Sequence, residues 1–121
     1  MTSDLDIGFR SEPVGLDDFL AERGYVYSPD LQNGEEKVYS NRKSKGPVLC
    51  YDSKFNLSRD RNWARAGYKI SSCLNINFHN GKERVSAEGL AEKLVRRYGA
   101  VCYDPSHEFF YDQVALAGSF E

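Results

Sequence analysis

The chain has 121 residues, 40% apolar and 28% charged, a balance that excludes a disordered polypeptide and suits one domain with a modest core. Its formal net charge of −2 argues against a general nucleic-acid binder. No run reaches the roughly 18 consecutive apolar residues of a membrane span, and the first residues lack the basic start and apolar stretch of a signal peptide. The expectation is a cytoplasmic protein with no membrane contact.

Charge is unevenly placed. Residues 1–36 carry nine acidic and two basic side chains, residues 37–69 nine basic and two acidic, and residues 70–121 five basic and seven acidic. The basic middle keeps a local anionic partner in view.

Residues 1–12 read as a polar N-terminal tail without periodicity, although Ile7 and Phe9 are able to dock on a domain. Residues 14–24 predict a short helix. Asp17 and Asp18 fall in its first turn, where negative charge complements the helix dipole, and Gly24 stops it. Val14 and Phe19 stand at the spacing of a hydrophobic staple. Short strands follow at 25–28, 37–40 and 48–52, separated by a loop at 29–34 and a basic turn at 41–47. Residues 53–66 have no clear period, and 56–66 read as loop or broken helix.

Residues 68–79 alternate strictly. Tyr68, Ile70, Ser72, Leu74, Ile76 and Phe78 point one way; Lys69, Ser71, Cys73, Asn75, Asn77 and His79 point the other. This is the pattern of a long strand with one apolar and one polar face. Asn80 and Gly81 supply a turn. A helix then runs to Gly99, with Ser86 as its expected N-cap and Val85 and Leu90 as its staple. Ala87, Leu90, Ala91, Leu94, Val95 and Tyr98 form its apolar stripe. Residues 100–103 and 108–112 predict two further strands about a turn at 104–107.

The order α-β-β-β-β-α-β-β over residues 13–121 predicts an α+β domain. Its sheet is largely antiparallel, of about five to six strands, with two helices on one face. Such a sheet leaves its other face wet, and Lys69, Ser71, Asn75, Asn77 and His79 are the expected binding row there. A second candidate surface is the basic segment 42–65, where Arg59, Arg61 and Arg65 flank Trp63. Basic side chains neutralise phosphates and aromatic faces stack bases, so this segment suggests single-stranded nucleic acid as an alternative partner.

Catalytic patterns are absent from the sequence. Cys73 and His79 are six residues apart, roughly 20 Å along a strand, which is too far for a nucleophile and its base. Cys102 and His107 meet only across a hairpin. Three cysteines and two histidines are scattered without metal-ligand spacing. No glycine-rich phosphate loop occurs. The expectation is a non-enzyme without cofactor or metal, whose cysteines are reduced.

The segment from Leu90 to Pro105, Leu-Ala-Glu-Lys-Leu-Val-Arg-Arg-Tyr-Gly-Ala-Val-Cys-Tyr-Asp-Pro, resembles one in small bacterial α+β proteins. There, too, a helix stops on glycine, a short strand follows and Asp-Pro closes it. Several of those proteins are toxin-neutralising immunity proteins. The resemblance implies an immunity-type or regulatory inhibitor acting by stoichiometric protein binding, and it carries no functional residue with it.

Overall fold

The computed structural model describes residues 3–29, 36–41, 46–53, 61–106 and 108–112. In chain order these form β1 (Ser3–Phe9), α1 (Leu16–Glu22), β2 (Val26–Tyr27), β3 (Lys37–Ser40), β4 (Val48–Asp52), α2 (Arg61–Arg65), β5 (Ser72–Phe78), α3 (Gly81–Tyr98), β6 (Val101–Asp104) and β7 (Phe109–Tyr111). The strands make one antiparallel sheet in the order β2-β3-β4-β5-β1-β6-β7.

The fold is the expected mixture of an antiparallel sheet and helices; among the described residues there is one strand more than the sequence suggests, and a third helix, α2, within the segment 56–66 read as loop or broken helix. The added strand is β1, read from sequence as part of a polar tail. It lies near the centre of the sheet, between β5 and β6. Its full-length pairing with β5 runs from Ser3 opposite Phe78 to Phe9 opposite Ser72. Leu5, Ile7 and Phe9 alternate into the core and are at most 2% exposed. The acidic residues between them mask the apolar content of the segment while satisfying the period of two that a strand requires.

One face of the sheet carries α1 and α3. Leu5, Ile7 and Phe9 of β1, Leu49 of β4, Leu74, Ile76 and Phe78 of β5 and Cys102 of β6 meet Leu16 and Leu20 of α1 and Ala87, Leu90, Ala91, Leu94 and Val95 of α3 in a single cluster. Burial of these side chains is the main force holding the helices down. The opposite face is partly covered by α2, whose Trp63 joins Ile70, Cys73, Val101 and Tyr103 in a second cluster, with Tyr68 and Phe110 against it.

The long strand is shorter than its alternation suggests. Ser71 bends the chain, and its N–H and Oγ both donate to the carbonyl of Phe9, at 2.8 and 3.1 Å. Tyr68 and Ile70, expected beside Leu74, therefore sit in the Trp63 cluster on the other face. The apolar residues of a strand and of the segment leading into it look alike in sequence when each faces a core.

The ends of α3 also differ from expectation in one respect. Gly99 ends the helix with φ 63°, as expected. Its start lies six residues before Ser86: Asn80 is the N-cap, and its side chain accepts from the Glu83 N–H at 2.9 Å. Glu83 reaches back, its Oε1 accepting from the His79 N–H at 3.4 Å and its Oε2 from Asn80 Nδ2 at 3.0 Å. This reciprocal cap outcompetes Ser86, which lies on the exposed side within the helix, and Val85 is 72% exposed rather than a staple. Val14 is likewise 76% exposed, so α1 is not stapled, while Asp17 and Asp18 do occupy its first turn.

Candidate functional site

On the face away from α1 and α3, β5 presents Cys73, Asn75 and Asn77. The register places Asp4 opposite Asn77, Asp6 opposite Asn75 and Gly8 opposite Cys73 on β1, with Val48, Cys50 and Asp52 in the corresponding positions on β4. Cys73 and Gly8 lie under the Trp63 cluster. The other positions form a polar area of half-buried residues: Asp4, Asp6, Cys50, Asp52, Asn75 and Asn77.

Asn75 organises this area. Its Nδ2 donates to Asp4 Oδ2 at 3.0 Å and to Asp6 Oδ1 at 2.8 Å. An amide nitrogen has two hydrogens, so both are engaged, and Asn75 meets its surroundings through its carbonyl oxygen. The result is a row of acceptors held in place by bonds between neighbouring strands.

The other expected site residues separate from this row. Lys69 and Ser71 are exposed in the segment before β5, and Ser71 spends its hydroxyl on Phe9. His79 is exposed just past β5, beside a cleft of about 260 Å³ that it lines with Ser3, Phe78, Asn80, Gly81 and Arg84. Asn75 and Asn77 alone stay together, joined by Asp4 and Asp6. Asp4 and Asp6 lie in the segment 1–12 that reads as a tail, and their alternation with Leu5 and Ile7 is the sequence signal of their strand.

The basic segment fares differently. Arg59 lies outside the described residues, as do positions 42–45 and 54–60. Arg61 opens α2, and Arg65 is exposed at its end. Trp63 is 0% exposed. A stacked base needs an open ring face, so Trp63 is a packing anchor of the second cluster and not a stacking platform.

Neither Cys50 nor Cys102 carries an activated sulfur. The cysteines at 50, 73 and 102 are free thiols. Burial pushes the Cys102 thiol up to about 12, against a smaller lowering by its hydrogen bond with Tyr111. Burial also raises Cys50, helped by the negative charge of Glu36. A nucleophile requires the opposite shift. His107, the suggested partner of Cys102, lies outside the described residues. Among the described residues, no three His, Cys, Asp or Glu side chains are grouped to hold a metal, and no helix is long and apolar enough to cross a membrane. Comparison of the chain with protein-family models, curated proteins and solved structures finds no match to any of them.

Proposed function

We propose that this chain is a non-catalytic domain that binds another protein stoichiometrically through the polar sheet face of Asp4, Asp6, Asn75 and Asn77. The observation that carries this reading is the clamping of the Asn75 amide between two carboxylates at 3.0 and 2.8 Å. Side chains already fixed lose little freedom on association, so a pre-set acceptor row favours binding. Its complement is a partner surface rich in donors, such as arginine, lysine or backbone N–H groups. An immunity-type inhibitor, as implied by residues 90–105, is one form of this function.

With Trp63 buried, the nucleic-acid alternative rests on basic side chains without their central aromatic. Capture from lysate by the parent protein and by an Asn77→Arg variant, alongside titration with single-stranded oligonucleotides at several salt concentrations, tests the proposal. We expect a protein retained by the parent and lost from the variant, with weak oligonucleotide binding by both. Tight oligonucleotide binding that falls steeply with salt would overturn it.

A further inference from the structure

The C-terminal end of α1 and one flank of α3 enclose a cleft of about 240 Å³, lined by Arg23, Tyr25, Ser86, Gly89, Leu90 and Lys93. It belongs to the helix layer, on the opposite side of the sheet from the acceptor row. Its floor is apolar: Leu90 is 5% and Tyr25 7% exposed. Its walls are cationic. The Arg23 guanidinium lies 3.6 Å from the centre of the Phe19 ring, and Nη1 donates to the Phe19 carbonyl at 2.8 Å. These contacts hold its plane while its side chain stays 30% exposed, and its Nε is buried without an acceptor. Lys93 and Ser86, two turns apart on α3, are both exposed.

Two details make this a receptacle rather than a closed pair of helices. A β-carbon on Gly89 would meet nothing within 4 Å, so the helix surface is open there. Glu22, an acidic neighbour of Arg23, stands 3.7 Å from Nη1 and is 78% exposed, a loosely held and well-solvated counterion.

We propose that this cleft binds a small anion carried on an apolar stem, a phosphomonoester or a carboxylate. Arg23 and Lys93 face the anion, Ser86 donates a hydroxyl hydrogen bond, and Leu90 and Tyr25 support the stem. A guanidinium already held on an aromatic ring loses little freedom when it forms charge-assisted bonds to an anion. The volume suits one ring and one headgroup, below the usual range of drug-sized sites. This site is independent of the sheet face and stands or falls separately from it.

Backbone amide NMR of the full chain, titrated with phenyl phosphate, benzoate, inorganic phosphate or sodium chloride at matched ionic strength, tests the inference. Saturable shifts are expected at Ser86, Gly89 and Lys93 with phenyl phosphate or benzoate, and the tighter of the two assigns the headgroup. Inorganic phosphate, lacking a stem, should bind more weakly. Lys93→Glu should weaken binding by about tenfold or more, the loss expected for one charged hydrogen bond. Gly89→Leu should block the cleft while favouring the helix. Shifts that sodium chloride reproduces, or affinities for phenyl phosphate and benzoate that both variants leave unchanged, would overturn the proposal.

Discussion

A β-carbon placed on Gly8 would lie 3.0 Å from Cη2 of Trp63 and 2.8 Å from Cδ1 of Ile70. The glycine in β1 is therefore what lets the indole lie flush on the sheet, and the two positions are 55 residues apart in the chain. The Ile70 terminus is able to shift; the buried Trp63 ring, wedged among Tyr68, Tyr103 and Phe110, is not. We expect Gly8→Ala to cost about 1–3 kcal/mol by overpacking. Urea unfolding followed by the fluorescence of this single tryptophan reads the loss directly. A variant as stable as the parent would mean that Trp63 does not pack on β1.

The core between sheet and helices makes a second prediction. Leu74 in β5 and Leu94 in α3 are both 0% exposed. Replacing either by alanine should cost about 2–5 kcal/mol, the range for emptying a buried leucine site. Chemical denaturation of both variants checks it, and losses of only about 0.5 kcal/mol, typical of surface positions, would place the core elsewhere.

The start of α3 separates two residues that look equally good as caps. Asn80→Ala should cost about 0.5–2 kcal/mol, because it removes the acceptor for the Glu83 N–H. Ser86→Ala should stay within about 0.5 kcal/mol of the parent, as at other exposed positions. Thermal melts of the two variants decide between them; the reverse order would restore Ser86 as the cap.

Stability should fall in alkali. Burial pushes the Cys102 thiol up to about 12, and it also holds the phenols of Tyr39 and Tyr111 well above their usual value. In each case the folded state keeps a proton that the unfolded chain gives up more readily. The stabilisation is complete below the unfolded values, roughly pH 8.5 for the thiol and 10 for the phenols. It is lost as pH climbs toward the folded ones. The midpoint of thermal unfolding should therefore drop steadily above about pH 9, and less so in Tyr39→Phe. A midpoint that is flat or rising between pH 9 and 11 would contradict this assignment.

The parts of the fold that were legible are those whose pattern repeats at one period with clear punctuation. The Leu74–Ile76–Phe78 alternation and the stripe from Ala87 to Val95 both found their partners, as did the glycine stops at 24 and 99. The remaining elements are disguised by their local sequence. Asp4 and Asp6 made β1 look like a tail, because polar residues facing a wet sheet surface resemble those of a loop. Ile70 and Leu74 share a parity but not a face, because the bend at Ser71 is set by a hydrogen bond to Phe9, far away in sequence. The same bend removes Lys69 and Ser71 from the anticipated row, and β5 ends before His79, so Asn75 and Asn77 remain together. The carboxylates that bond to Asn75, those of Asp4 and Asp6, come from about 70 residues earlier in the chain.

We propose that the β1–β5 acceptor row holds a protein partner. The most direct test is the calorimetric affinity of the purified captured partner for the parent chain, for Asn77→Arg and for Arg65→Glu. Asn77→Arg places a cation opposite Asp4, where the fold accommodates it but a donor-rich partner does not. We predict a stoichiometry of one, a loss of about a hundredfold or more for Asn77→Arg, as for a buried interfacial contact, and less than about threefold for the exposed Arg65→Glu. Full affinity in a folded Asn77→Arg variant, with binding lost instead in Arg65→Glu, would contradict the claim and move the interface to the basic segment.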